Sequence, residues 1–155
     1  MNRPDLDRYI QGWRGPVMAA LVALIAGLPG LLLTPPLDRD ESRFAQATAQ
    51  MLESGDFVDI RFQDEPRWKK PVGIYWLQAA AVSATSKVEN RDIAPYRIPS
   101  LLAAMIAAAA CAWVGAALFG ARAGFLAGAI LGGCFLLSSE AGIAKTDPAL
   151  CAAVT

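Results

Sequence analysis

Residues 15–37, GPVMAALVALIAGLPGLLLTPPL, form a run of 23 without a charged side chain. Whether that run crosses a bilayer decides how every later segment is read. A hydrocarbon core of about 30 Å needs roughly 20 apolar residues per helical crossing, so the run is long enough. Arg3, Arg8 and Arg14 precede it, as basic residues precede a secretory signal. Its apolar stretch from Val17 to Leu33 is longer than the signal core of about 7–15 residues, however, and it ends in Thr34-Pro35-Pro36 with no small-x-small cleavage pattern. It reads as an uncleaved first helix, with the arginines holding the N-terminus in the cytoplasm.

Composition points the same way. The chain has 155 residues, enough for one soluble domain, but 55% are hydrophobic and 18% charged, against roughly 45–50% and about 25% in globular proteins. Disorder is excluded by the same numbers. The 14 basic and 14 acidic residues cancel, which leaves no electrostatic basis for a nucleic-acid partner. The absence of His removes His-based triads and most zinc sites. Cys111, Cys134 and Cys151 lie singly inside apolar runs and read as packing residues.

Three further charge-free runs follow: 71–86, 98–121 and 123–139. The expected organisation is an all-α, polytopic transmembrane bundle. It has a span at 16–34, a charged extracytoplasmic loop with juxtamembrane helices at 35–96, spans at 97–119 and 123–139, and a further span begun at 148–155. Run 71–86 is ambiguous, because as an ideal helix it reaches about 24 Å, short of the hydrocarbon core. An interfacial helix with Trp68, Tyr75 and Trp76 at headgroup depth is the preferred reading. Arg122 then lies in the cytoplasm, and the acids near residue 40 share a face with Asp147. If 71–86 spans instead, they face opposite sides. Gly120, Gly124, Gly128 and Gly132 recur every four residues, a stripe that lets another helix approach closely.

Half of the 28 charges lie between Pro36 and Lys70. Asp40 is placed to cap a helix from about 41 to 54, in which Phe44, Thr48, Met51 and Leu52 share one side, suggesting a helix lying along the membrane surface. Arg43, three residues on, can neighbour Asp40 at the first turn. One reading is a capped, solvated helix start. The other is a site for a phosphorylated lipid, with a carboxylate as general base and Arg43 with Lys69 or Lys70 holding the phosphate. Glu140, Lys145 and Asp147 flank the end of the third expected span, where ionisable groups are functional candidates but also serve to end a span.

The order of short motifs adds a family resemblance. Asp40-Glu41-Ser42-Arg43-Phe44-Ala45, Met51-Leu52-Glu53-Ser54-Gly55-Asp56-Phe57 and Lys69-Lys70-Pro71-Val72-Gly73-Ile74-Tyr75-Trp76-Leu77 come first. Arg97-Ile98-Pro99-Ser100, Leu118-Phe119-Gly120 and Thr146-Asp147-Pro148-Ala149-Leu150 follow. Together they resemble the polyprenyl-phosphate-sugar-dependent membrane glycosyltransferases, which include protein O-mannosyltransferases and lipid A aminoarabinose transferases. The resemblance implies a C-type glycosyltransferase fold in a bacterial inner membrane. The partners it implies are a polyprenyl-phosphate-sugar donor, membrane lipids and an acceptor lipid, protein or glycan. It implies Asp40 as general base, Glu41 as its supporting partner and Asp147 as a second functional acid. Arg43 and Lys70, with Lys69 beside them, would hold the lipid phosphate.

The metal is left open by the resemblance: Asp147 is the residue a divalent cation would use. Lys69 stands where some aminoarabinose transferases carry Glu, and Val72-Gly73 replaces the usual Pro-Leu. Family members are several times longer, so the stretch up to Thr155 is expected to be inactive alone. The competing class is a segment of a transporter or flippase with a charged substrate path. A third reading is a small structural membrane protein assembled through its glycine stripe.

Overall fold

The two longest charge-free runs become the two longest helices. The structure, a computed structural model, describes residues 9–36 and 39–155. Among these, the elements are α1 (Arg14–Leu33), α2 (Arg39–Ser54), β1 (Arg61–Phe62), β2 (Glu65–Pro66), α3 (Gly73–Thr85), a 3₁₀ turn (Val88–Asn90), α4 (Ala94–Phe119), α5 (Ala121–Gly133), α6 (Phe135–Ala141) and α7 (Asp147–Val154). The fold is a helical bundle. Its one departure from the all-α reading is a two-stranded antiparallel ribbon pairing Arg61 with Pro66 and Phe62 with Glu65. Gln50 of α2 pins the ribbon's turn, accepting from the Gln63 backbone N–H at 2.7 Å and donating to its carbonyl at 3.2 Å.

α1, at 20 residues, and α4, at 26, are each long and apolar enough to cross a membrane. The expected helix over 123–139 is two helices instead. α5 and α6 meet at a bend of 57° and count as a third candidate span only if taken together. The break follows from local chemistry. Gly132 and Gly133 weaken the helix, Cys134 turns to an extended conformation at φ −69° and ψ 141°, and its Sγ accepts from the Leu137 N–H to start α6.

α1, α4 and α5 pack on one another through small residues. Gly128 and Gly132 of α5 lie against Ala108 and Ala112 of α4 and Ala19 and Ala23 of α1. Gly120 is not part of this face; it is the exposed hinge between α4 and α5, at φ +90°. Arg122, in the first turn of α5, is exposed.

α2 and α3 form a second layer. Phe44, Ala47, Met51, Ile60, Ile74, Tyr75 and Ala79 make a common apolar cluster, and Thr48 Oγ1 donates to Gln78 Oε1 at 2.8 Å in its interior. The side expected to lie on the membrane surface packs instead against α3, because α3 offers Ile74, Tyr75 and Ala79 to it, with Leu52 half-buried at its edge. Tyr75 belongs to it, fully buried, whereas Trp68 is 81% exposed and Trp76 49%. The aromatic trio therefore does not face outward as a set. α3 has 13 residues, about 20 Å, and is not among the helices long enough to cross.

A Cβ at Gly124 would collide with the Ala112 carbonyl and the Ala116 backbone, while one at Gly133 would meet only Val22 Cγ1 at 3.5 Å. Gly124→Ala should destabilise the bundle by about 1–3 kcal/mol, and Gly133→Ala should not. Thermal unfolding of the two variants in detergent checks this.

Candidate functional site

One acid of the first loop, Glu41, is held by an arginine from far along the chain. Arg97, in the first turns of α4, is 0% exposed, and Glu41 of α2 is 1% exposed. The guanidinium grips the carboxylate with both edges, Nε to Oε1 at 2.6 Å and Nη2 to Oε2 at 2.9 Å. Its remaining N–H groups donate to backbone carbonyls where α1 ends. Nη1 reaches Gly30 at 3.1 Å, Leu31 at 3.3 Å and Thr34 at 2.6 Å, and Nη2 reaches Pro35 at 3.4 Å. Helix C-termini leave carbonyls without partners, and here a single side chain supplies the donors.

Glu41 has one more partner, the Ala144 N–H, which donates to Oε1 at 3.0 Å. Nearby, Ser100 Oγ and the Lys145 backbone exchange hydrogen bonds of 3.2 and 3.3 Å. The end of α1, the start of α2, the start of α4 and the segment leading into α7 therefore meet at one end of the bundle. Asp40 and Asp147 lie on this end. Motif order drew attention to Arg97, but its burial and its partner were not read. The available signal was its isolation as the one charge in α4, ahead of a long apolar run.

Asp40 is turned about 100° from Glu41 around α2 and faces out of the bundle. The helix starts at Arg39, so Asp40 lies inside the first turn rather than before it as the cap. Its carboxylate is 58% exposed and pairs with Arg43 Nη1 at 3.5 Å. A half-exposed pair of this kind adds little stability and leaves both groups accessible to a ligand. Lys69 and Lys70 are exposed, in the connection from the ribbon to α3.

Asp147 opens α7 and is exposed. With Glu140, Cys134, Leu136, Leu137 and Cys151 it lines a cavity of about 400 Å³. Two carboxylates there could contact a cation, but Lys145 Nζ already lies 3.9 Å from Glu140 Oε2. Among the described residues no group of three or more His, Cys, Asp or Glu side chains comes together. This donor set does not fit a divalent metal cage.

Between the layers, the Tyr75 hydroxyl accepts from Arg67 Nε at 2.9 Å. Burial pushes the phenol's pKa up, opposed in part by that hydrogen bond.

Two or three helices of bilayer length, capped at one end by shorter helices that carry acids and cations, define an integral membrane protein. The resemblance drawn from the motifs is found in a curated relative. The undecaprenyl phosphate-alpha-4-amino-4-deoxy-L-arabinose arabinosyl transferase of Edwardsiella ictaluri (strain 93-146) is 36% identical to this chain over 70 residues. That match covers 45% of this chain and 12% of the relative. The chain is thus similar to a small part of a lipid-linked-sugar transferase. No family model matches it, and no solved structure does.

Removing one partner of a buried ion pair leaves an uncompensated charge, at a cost of about 3–5 kcal/mol. Arg97→Ala should lose stability on that scale in denaturant titrations in detergent. Glu41→Ala combined with Arg97→Ala should lose less than the sum of the two single changes. Cysteines placed at positions 40 and 147 in a cysteine-free background should both react with a membrane-impermeant maleimide added from the same side. Labelling from opposite sides would separate the two acids.

Proposed function

We propose that this chain carries the general-base and donor-phosphate end of a membrane glycosyltransferase, which moves a sugar from a polyprenyl-phosphate carrier to an acceptor at the extracytoplasmic face. The observation that carries the reading is the division between two adjacent acids. Glu41 is locked inside the bundle by Arg97, and Asp40 is exposed beside Arg43 where α1 gives way to α2. The similarity to an aminoarabinose transferase supports the class of reaction.

In the proposed step Asp40 takes the proton of an acceptor hydroxyl. The acceptor oxygen forms a bond to the anomeric carbon as the bond from that carbon to the carrier phosphate oxygen breaks, with inversion. The leaving group is the polyprenyl phosphate, and its negative charge is met by Arg43 and Lys70, with Lys69 beside them. An acceptor phosphate, already ionised, attacks without the proton transfer. Glu41 acts through position, fixing the first turn of α2. Asp147 is the second acid, on the same end of the bundle, available to an acceptor or sugar hydroxyl. The orientation follows the N-terminal arginines, which place this end outside the cytoplasm, and the fold assigned is the C-type.

A transport path needs charges along the spans. The one charge in α4 is Arg97, whose N–H groups all have acceptors, and Glu140 of α6 lies beside Lys145, which leaves the transferase reading the better supported.

Asp40→Asn in the protein in its native membrane should lower sugar transfer from a polyprenyl-phosphate donor by about 100-fold or more, with membrane insertion unchanged. Transfer at the unsubstituted rate would remove Asp40 from the role of base.

A further inference from the structure

Four cations of this end have an acid beside them. Arg43 has Asp40, Arg61 has Asp59, Arg97 has Glu41 and Lys145 has Glu140. Arg67 is different. Its backbone N–H is held by the Ile60 carbonyl at 2.7 Å, and its Nε donates to Tyr75 Oη. Its guanidinium carbon lies 5.3 Å from the centre of the Phe44 ring and 5.9 Å from that of Phe62. Tyr75 is itself fully buried, with its ring 5.4 Å from Phe44.

The planar head of Arg67 is therefore fixed by three aromatic side chains, one each from α2, β1 and α3. The residue is only half-buried, no carboxylate of the described residues pairs with it, and neither terminal nitrogen has a hydrogen-bond partner among them. Four N–H donors are thus held in place without an acceptor. Arginine in this state is preorganised for a planar, two-pronged grip on an oxyanion, because little side-chain entropy remains to be lost on binding. Its position is specific: Phe44 follows Arg43 on α2, and Lys69 and Lys70 follow Arg67 by two and three residues.

We propose that Arg67 is a phosphate-binding residue of this end of the molecule, its open guanidinium edge taking the phosphate of the lipid carrier alongside Arg43 and Lys70. This rests on the reading of the site as a lipid-phosphate site and adds to it the residue that is held rigid. Lys69 and Lys70 are exposed point charges on flexible stems; Arg67 supplies direction.

The unsubstituted chain in phosphatidylcholine nanodiscs can be footprinted with phenylglyoxal, reading each arginine by mass spectrometry. Farnesyl phosphate should slow modification of Arg67 roughly tenfold and leave Arg61 and Arg91 unchanged. Inorganic phosphate at the same concentration should protect less; equal protection would overturn the assignment to a lipid carrier in favour of free phosphate. In titrations with farnesyl phosphate, Arg67→Gln should bind roughly tenfold more weakly, and Arg67→Lys should restore only part of the affinity, because it lacks the fork. Protection of Arg43 without Arg67 would overturn the role of Arg67 while leaving the lipid-phosphate site standing. Protection of neither would overturn both. A lower melting temperature for Arg67→Gln with unchanged affinity would reduce Arg67 to a clamp on the ribbon.

Discussion

An arginine sealed from water, with one carboxylate and the carbonyls at the end of a helix as its partners, is the constraint on which the rest of this molecule depends. Taking a guanidinium and a carboxylate out of water is expensive, and their mutual attraction offsets that cost only when the geometry is good and the remaining donors are satisfied. Arg97 meets both conditions: a two-pronged contact with Glu41, and carbonyls of Gly30, Leu31, Thr34 and Pro35 for the other N–H groups. Those carbonyls carry the partial negative charge of the α1 C-terminus, so Arg97 neutralises a helix end as well as a side chain. An apolar replacement of similar size would hold the four segments together with less specificity of register. The ion pair permits one arrangement of α1, α2, α4 and the segment before α7, because a shift of any of them strands a buried charge or carbonyl.

The consequence for chemistry comes from helix geometry. Consecutive residues of a helix are rotated by about 100°, so when Glu41 is turned into the bundle its neighbour Asp40 is turned out of it. Two acids adjacent in sequence acquire different surroundings: one is buried and paired, the other is exposed, which is the division the proposed function uses. The same buried contact reaches the second acid. Because Ala144 donates to Glu41, the segment leading to Asp147 is set relative to the first turn of α2 through a single carboxylate.

Much of this frame was legible in the sequence, and the limits are physical. Charge-free runs located α1 and α4 because a bilayer excludes charge over a fixed length, and periodicity located the apolar side of α2 because a 3.6-residue repeat is local information, but not that α3 rather than the membrane surface covers it. Contacts between distant segments were not legible. Arg97 and Glu41 are 56 residues apart, and an arginine at the edge of an apolar run reads as a boundary marker until its partner is known. Tyr75 read as an interfacial aromatic because its composition suits that place; it is a core residue because Phe44 and Arg67 pack on it. The glycine repeat gave the packing face of α5 but included Gly120, whose positive φ belongs to a turn. The break at Cys134 had its signal in Gly132-Gly133, which the same repeat absorbed.

The glycine face and the arginine site are parts of one device. Close approach of α5 to α4 and α1 through Gly128, Gly132 and the facing alanines makes the three-helix body stiff, since backbone-to-backbone contacts leave no side chains to rearrange. A stiff body fixes where the first turn of α4 stands, and therefore where Arg97 stands. Glu41 then takes its place by hydrogen bonding, α2 by Glu41, and α3 by the Phe44 and Tyr75 contact with α2. Position thus passes outward from the apolar body to the polar rim, each step resting on a buried contact. The outermost shell, which includes Asp40 with Arg43 and the stretch from Arg67 to Lys70, borders the solvent. The reaction proposed above, which would bring a lipid phosphate and a second substrate together at the bilayer edge, calls for this ordering: a packed body beneath and accessible charge at the surface.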